Sequence, residues 1–402
     1  MNKFFASSRV YLDYAAATPT DPAVAKEMAG YLSSLETFGN PSSTHDEGRR
    51  AKEALEEVRL KIARLLHAHA DEIIFTSGAT ESDNLAIQGV VASSSLSHPH
   101  VISTAIEHSA IRETLQVLEQ GGVSVTYLPV DENGLFTQEI LEKHLRKETV
   151  LVTLSLGNSE IGTVLSPQKI AQTLKDFRVR KGIKAVLHLD ASQSAGYVAI
   201  DAEALQADLV TIDSAKIYGP KGIGVLYARR GTDLKSIMYG GGQERGRRPG
   251  TESVLLAVGM AKALLIAENR RDRERSRLAL LSKYFIDSIH MHIPNAVIHA
   301  EKLSVIGEKH RLPGRLPNFV NVCFPGVDAE FLTVRLDSQG IAASSASACR
   351  SIGGNGRSYV IEGLPGGASC ASSSIRFSLG RYSNRHDIDH TIRVLVRLLA
   401  AH

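Results

Sequence analysis

From residue 72 to residue 228, short apolar runs alternate with helix-like stretches, and this alternation constrains the fold more than any other feature of the chain. The strand-like runs are 72–76, 100–104, 124–129, 150–156, 185–190, 209–212 and 224–228. The stretches with helical spacing are 47–67, 81–93, 109–120, 137–146 and 166–181. Strands separated by helices favour parallel pairing, because a parallel crossover needs a connection of helix length. The expected class is α/β with a layered, mainly parallel sheet. Residues 240–250 are rich in Gly and Arg and interrupt the pattern. A long charged helix is expected over 253–290, and its Arg270-Arg271-Asp272-Arg273-Glu274-Arg275 run reads as a solvated face. The chain of 402 residues exceeds one ordinary core, so a large domain over 21–255 and a smaller α+β domain over 256–402 are expected.

Charge and cysteine usage exclude several classes. The net charge is only +3, with acidic and basic residues interspersed, which gives no footprint for direct nucleic-acid binding. No apolar run is long enough for a membrane helix, and the first ten residues lack a signal-peptide core, so no membrane association is expected. The three cysteines, Cys323, Cys349 and Cys370, are widely spaced and form no C-x-x-C. Neither a disulfide framework nor a metal site is expected, and a reducing cytoplasm is the expected compartment.

Four stretches carry groups suited to chemistry. Thr76-Ser77-Gly78-Ala79-Thr80-Glu81 lies between a strand and a helix, where backbone N–H groups can hold a phosphate. Plain capping by Ser77 or Thr80 accounts for the same residues. Asp190 ends the apolar 185–190 run, where α/β folds place ligand-facing groups. Lys216 precedes the Gly219-Pro220-Lys221-Gly222 turn; in a site that lowers its pKa it can form an imine, and outside one it is an exposed turn lysine. Residues 342–356, AASSASACRSIGGNG, form a Ser/Ala/Gly-rich loop holding one thiol, Cys349, beside Arg350. A cysteine there suits reactivity better than burial. Cys323 lies in an apolar run and reads as a core residue, while Cys370 is the second candidate nucleophile. His108, after a strand, is open to either a site or a packing role.

Taken in order, these segments resemble the cysteine desulfurases, class V aminotransferase-like enzymes that use pyridoxal 5'-phosphate. The matching pieces run from Tyr11-Leu12-Asp13-Tyr14-Ala15 to Ser374-Ile375-Arg376-Phe377-Ser378. Between them come Gly39-Asn40-Pro41, residues 77–84, Glu107-His108, Glu160-Ile161-Gly162, residues 216–224 and residues 243–251. The resemblance implies the fold type I architecture of pyridoxal-phosphate transferases, with residues 1–20 packing on the small domain. It implies that Lys216 carries the cofactor and moves the substrate α-proton. Asp190 is implied to pair with the pyridine nitrogen, Gln193 to donate to the ring oxygen, and His108 to stack on the ring and move protons. Ala79, Thr80 and Ser214 are implied on the phosphate side, with Thr251 donated from a partner subunit in a homodimer. Arg376, helped by residue 159, is implied to clamp the substrate carboxylate. Cys349 is implied to take the sulfur of L-cysteine as a persulfide, in the branch that delivers sulfur to an acceptor protein, such as an iron–sulfur scaffold or a tRNA-thiolation protein.

The chain departs from the family pattern in two places. Ser159 stands where an asparagine is usual, a shorter side chain with one hydroxyl in place of an amide. Asp213-Ser214-Ala215 stands where Ser-Gly-His is usual, which replaces two phosphate ligands and adds a carboxylate. Two other readings compete: a lyase acting on selenocysteine or another β-substituted amino acid, and an inactive relative serving as a binding partner. The retention of Lys216, Asp190, Gln193, His108, Cys349 and Arg376 together opposes the second of these.

Overall fold

The computed structural model describes residues 9–34, 38–182, 184–306, 312–345 and 356–400. Among these, seven strands form the central sheet in the order Ile73–Thr76, Gly224–Ala228, Leu209–Asp213, Val186–Asp190, Thr149–Ser155, His100–Thr104 and Ser124–Leu128. Every pairing is parallel except the two made by Gly224–Ala228, which runs antiparallel to both neighbours. The chain enters that strand from Leu209–Asp213 through a tight turn without a crossover helix, so it must reverse. Val186–Asp190 and Gly224–Ala228 are buried throughout, as strands covered on both faces must be. The Ala79–Ser93 helix buries Leu85, Ala86, Ile87 and Val90 in one cluster with Ile74, Val101, Leu151 and Leu226.

Six strands of this sheet point the same way, and the chain leaves their carboxyl ends at Ser77, Ala105, Pro129, Leu156, Ala191 and Ser214. In an open parallel sheet those ends line one crevice, where ligands bind. The expected α/β layering is what forms, and the expected strand and helix positions agree with it to within two residues at most ends.

A second sheet of four antiparallel strands has the order Val297–Ile298, Phe319–Cys323, Ser374–Ser378, Ser344–Ser345. The Val254–His292 helix runs from the first sheet's helices to this second unit, packing on Pro22–Leu32 and Asp46–Leu65 and reaching Arg385–Leu399. At about 1.5 Å per residue it is about 58 Å long. Its arginine run is not wholly solvated: Arg275 is only 2% exposed and pairs with Asp272 at 3.1 Å. The helix turns that position inward, so a 3.6-residue period puts one residue of the run on the buried face. The N-terminal Val10–Tyr11 strand pairs in parallel with Ile341–Ala342 of the second unit. Among the described residues no helix is long and apolar enough to cross a membrane.

The cysteines correct one expectation. Cys323 and Cys370 are joined by a disulfide, with their Cα atoms 5.5 Å apart. Strand pairing brings them together, since Cys323 lies opposite Ser374 and Cys370 sits one turn before that residue. Their sequence separation of 47 hides this proximity.

The Gly/Arg-rich 240–250 segment is held by a buried ion pair. Glu244 and Arg245 take positive φ values of 46° and 57°, which cost roughly 1–3 kcal/mol each in residues with a side chain. The Glu244 carboxylate accepts from both Arg59 Nη atoms at 2.7 Å and from the Phe75 amide at 2.9 Å. Removing one partner of a buried pair leaves the other charge desolvated, at about 3–5 kcal/mol. Glu244→Gln should therefore lower the unfolding free energy by about that amount in urea titrations; a loss within the range of a surface substitution would show that the pair does not hold this segment.

Candidate active site

Each strand end contributes a defined group to the crevice. Asp190 is the last residue of its strand, between Ser155 and Thr211 on its neighbours. Its Oδ1 accepts from the Ser192 amide at 2.9 Å and from the Ser192 hydroxyl at 2.5 Å, which fixes the carboxylate at the strand tip. His108 caps the Ser109–Gln120 helix, its Nδ1 accepting from the Ala110 amide at 3.1 Å. That bond places the ring and leaves Nε2 as the proton-bearing nitrogen. Burial holds the imidazole below its ordinary value, Asp190 opposes this, and Lys216 and Arg376 add to it. With Asp213, which also opposes it, four charges from three separate segments act on one imidazole.

Lys216 sits in a short turn after the Leu209–Asp213 strand, and its Nζ donates to the Ala15 and Ala16 carbonyls at 2.9 and 2.6 Å. Gln193 Nε2 donates to the same Ala15 carbonyl at 2.9 Å. The N-terminal turn therefore closes over the amine. Thr18 secures it, donating to the Ala215 carbonyl at 2.8 Å and accepting from the Tyr218 amide at 2.8 Å.

Arg376 comes from the second sheet. Its Nη2 reaches Asp13 at 2.9 Å, its Nη1 donates to the Ser159 carbonyl at 2.9 Å, and its Nε is buried with no hydrogen-bond partner among the described residues. The Ser159 loop is itself fixed by Asn158. The Asn158 Oδ1 accepts from the Glu160 and Ile161 amides, and its Nδ2 donates to the Ile106 carbonyl.

Several buried acids and a histidine lie under these groups. Burial pushes Glu107 up to about 6 and Glu160 up to about 7. Asp83 is fully buried beside His188, 3.6 Å from its Nε2; burial and the charge of Asp190 raise it well above the carboxylate range. Burial pushes His188 down to about 3. In sequence, Glu107, Glu160 and Asp13 stand only inside matching motifs with no role attached, and Asp83 and His188 carry no mark of a site. The available signal was a polar residue inside an apolar strand, as with His188 in Val186–Asp190.

The residues fit a flat, phosphorylated cofactor such as pyridoxal phosphate. Gln193 and Lys216 share the Ala15 carbonyl, the charges of Asp190 and Lys216 act on His108, and Gly78, which precedes the Ala79–Ser93 helix, offers no side chain to its amides. The approach to that helix is open, since a Cβ at Gly78 would meet only Asp213 Oδ2, at 3.9 Å. Two acids already lean on this end. Glu81 accepts from the Ser77 amide at 2.7 Å and is paired with Arg248, and Asp213 Oδ2 lies 3.5 Å from the Ala79 amide. Asp213 therefore points into the cradle. Ser214 is turned the other way, fully buried with its hydroxyl against Gly219.

The other expected site residues fall as follows. Ala79 and Thr80 form the first turn of the helix, with Thr80 exposed. Thr251 is exposed on the loop before the long helix. Ser159 meets Arg376 through its carbonyl. Cys349 lies outside the described residues. Cys370, the second candidate nucleophile, is tied up in the disulfide and buried, so it offers no free thiol.

The chain matches the Aminotransferase class-V family over residues 10–391. It is 39% identical to a protein of Dictyoglomus turgidum named cysteine desulfurase IscS, over 97% of this chain and 94% of the relative. A solved structure titled NifS-like protein superposes with a TM-score of 0.86 at 30% identity, covering 98% of this chain and all of that one. A structure titled SspA in complex with cysteine superposes with a TM-score of 0.76 at 30% identity, over 93% of this chain and all of that one.

The position of Asp213 makes a direct prediction. A carboxylate at a helix start competes with any other anion there. Asp213→Asn keeps the cap on Ala215 and removes the charge. Titration of inorganic phosphate into cofactor-free protein should show affinity rising about tenfold, as expected when a repulsion worth about 1.4 kcal/mol is lifted. Equal affinities would mean that Asp213 moves away when an anion binds.

Proposed function

Because the chain belongs to the cysteine desulfurases of the class-V aminotransferase family, which use pyridoxal phosphate, we propose that it removes sulfur from L-cysteine, releases L-alanine and carries the sulfur as a persulfide on Cys349. The observation that carries this reading is that the Lys216 amine and the Gln193 amide meet at the Ala15 carbonyl while Arg376 holds Asp13 of the same turn, with the Asp190 carboxylate fixed at its strand tip and its charge acting on His108. That set provides an amine, a carboxylate, a guanidinium and an imidazole in one crevice.

The cofactor, when bound, supplies an electron sink for a charge developing at the substrate α-carbon. The chain's residues do the rest. Lys216 Nζ leaves the Ala15 and Ala16 carbonyls to hold the cofactor, and then moves the proton at the substrate α-carbon. Asp190, held by Ser192, would pair with the ring nitrogen. Gln193 would donate to the ring oxygen, and the His108 imidazole would stack on the ring. Arg376 presents its guanidinium to the substrate carboxylate, a pairing suited to a planar fork.

The thiolate of Cys349 attacks the substrate sulfur. A sulfur–sulfur bond forms as the carbon–sulfur bond breaks, the electron pair stays on carbon, and a proton completes the methyl group of alanine. Cys323 and Cys370 are joined to each other, which leaves Cys349 to act. The persulfide then passes to an acceptor protein, an iron–sulfur scaffold or a tRNA-thiolation protein. Such a thiol must be reduced between turnovers, which favours the cytoplasm. We further propose a homodimer in which Thr251 serves the partner's phosphate site. Tyr239 and Met238, on the same exposed segment, present apolar surface that a partner would cover.

Two measurements test the reading. Cys349→Ser should retain the visible absorption of the bound cofactor yet release no sulfide from L-cysteine. In the unaltered protein a brief cysteine pulse should add one sulfur, about 32 Da, to the Cys349 peptide. An adduct confined to Cys370, or on no cysteine, would overturn the assignment, and the second result would favour a lyase. Arg376→Ala should raise KM for L-cysteine at least tenfold, since a charge-assisted hydrogen bond is worth about 1.5–3 kcal/mol. An unchanged KM would remove Arg376 from the substrate site.

A further inference from the structure

The Cys323–Cys370 bond takes no part in the chemistry above, yet it lies in the apolar cluster that carries the loops of the site. Cys323 ends its strand opposite Ser374, two residues from the paired Asn321 and Arg376. Both cysteines pack in one buried cluster with Ile106, Ile161, Val360 and Leu364. Ile106 lies two residues before His108, and Ile161 two residues after Ser159. Asn158 ties these loops together, its Nδ2 donating to the Ile106 carbonyl and its Oδ1 accepting from the Ile161 amide. The next carbonyl, that of Ser159, holds Arg376. Packing and hydrogen bonds therefore link the two sulfurs to the Arg376 guanidinium.

The bond can be reached from one side. Cys323 is fully buried, whereas Cys370 is 8% exposed and lines an open cleft of about 390 Å³ with Val297, His299, Lys302, Leu364 and Gly366. That volume is in the range of small-molecule sites. His299 and Ser374 brace the wall, with His299 Nε2 3.3 Å from the Ser374 hydroxyl and that hydroxyl donating to the Cys370 carbonyl at 2.9 Å. A bond serving only as a cross-link would gain nothing from a cleft at one sulfur. In a reducing compartment, moreover, a disulfide is typically transient or redox-sensing.

We propose that Cys323–Cys370 is a thiol-exchange site, opened by low-molecular-weight thiols that enter the cleft and attack Cys370, and that its opening loosens the hold on Arg376 and weakens binding of the substrate carboxylate. This rests on the reading of Arg376 as the partner of that carboxylate. The incoming thiolate forms a sulfur–sulfur bond with Cys370 as the bond to Cys323 breaks. Cys323 leaves as a thiolate and takes the proton that the incoming thiol gave up. A second thiol attacks the first at its sulfur, releasing a small disulfide and the Cys370 thiol. Two small thiols are oxidised and one protein disulfide is reduced; the small disulfide, as oxidant, drives the reverse. Two free thiols need more room than a bonded pair, and a close-packed cluster answers by shifting its neighbours.

The test uses the full-length chain loaded with cofactor, in the Cys349→Ser background so that only this pair reports. The protein is held either in glutathione disulfide or in reduced glutathione. Alkylation and mass spectrometry should count no free cysteine in the first state and two in the second. A brief pulse of reduced glutathione, quenched with an alkylating agent, should leave glutathione on Cys370 and the alkyl group on Cys323. L-Alanine, which carries the carboxylate and amine without a thiol, is then titrated and followed by cofactor absorbance. The reduced protein should bind it about tenfold more weakly, within the usual range for coupling between two sites. Backbone amides 158–162 should exchange with deuterated water faster in the reduced state. Cys323→Ala combined with Cys370→Ala should bind L-alanine as the reduced protein does, in either buffer.

A bond that survives reduced glutathione until the protein unfolds would overturn the exchange site, and so would glutathione trapped on Cys323. Equal L-alanine affinities in the two states would overturn the coupling. They would do so even if the thermal midpoint fell on reduction, since a merely structural cross-link has that effect alone. If L-alanine leaves the absorbance unchanged in both states while the exchange of 158–162 still differs, the functional reading fails instead, and the two failures are distinguishable. The central comparison sets one protein in two buffers and does not depend on the alanine pair folding.

Discussion

Arg376 is where three distant parts of the chain are forced together. It occupies the centre of its strand, with Asn321 on one side and Ser344 on the other. Its guanidinium holds Asp13 from the N-terminal turn and the Ser159 carbonyl from the large sheet. A buried guanidinium costs several kcal/mol in lost hydration unless it is paired and hydrogen-bonded. That demand makes the N-terminal turn part of the site. Once Asp13 is fixed, the Ala15 and Ala16 carbonyls that follow sit against Lys216, and Ala15 meets Gln193 as well. The parallel pairing of Val10–Tyr11 with Ile341–Ala342 then locks the turn to the second unit. Both sheets are joined through one cation.

The acids beneath the site show how many carboxyl groups can be packed there without mutual repulsion. Glu160 is pushed up to about 7 from an ordinary 4.5 by burial, so in the folded state it keeps its proton over a wide range. Its effect on stability is complete below 4.5 and is lost as pH rises from there through about 7. His188 has the opposite sense. Pushed down to about 3 by burial from an ordinary 6.5, it favours the fold above 6.5 and loses that contribution as pH falls toward 3. Glu107, pushed up to about 6 by burial and by the charge of Asp190, sets the upper limit and His188 the lower, so between about 3 and 6 the network under Asp190 carries few charges. Asp213 stands apart from this network, partly buried and aimed at the helix start.

Much of this was legible in the sequence, and the legible part follows from period and order. The strands 100–104 and 224–228 were read to the residue, because apolar runs between turn residues have sharp ends. Lys216, Asp190, Gln193, His108 and Arg376 stand out as candidates because each lies in a short motif, and the motifs occur in a recognisable order. What could not be read depends on contacts between distant residues. The Cys323–Cys370 bond requires the register of two antiparallel strands. The pairing of Arg59 with Glu244 spans 185 positions, and nothing local marks either residue as buried. Arg275 looked solvated because its neighbours are charged, yet its angle around the helix turns it inward. The direction of Asp213 was undecidable for the same reason. The choice between Asp213 and Ser214 at the cradle depends on which of two adjacent residues faces outward, and one position of rotation exchanges them.

Ser159 illustrates the limit of reading a substitution by residue type. In sequence it replaces an amide with a shorter hydroxyl, which suggests a weakened grip on whatever lies beside it. In the folded chain the group at this position that Arg376 uses is the main-chain carbonyl, which every residue possesses. The carbonyl is aimed by Asn158, whose side chain accepts from the two amides beyond Ser159 and donates to the Ile106 carbonyl behind. The neighbouring asparagine therefore sets the geometry, and residue 159 is free to vary in its side chain without moving the guanidinium. What the shorter side chain does change is the space and the donor offered to a bound molecule. The two consequences separate cleanly: the orientation of Arg376 is a property of the backbone turn, and any altered preference for what binds against it is a property of the Ser159 side chain.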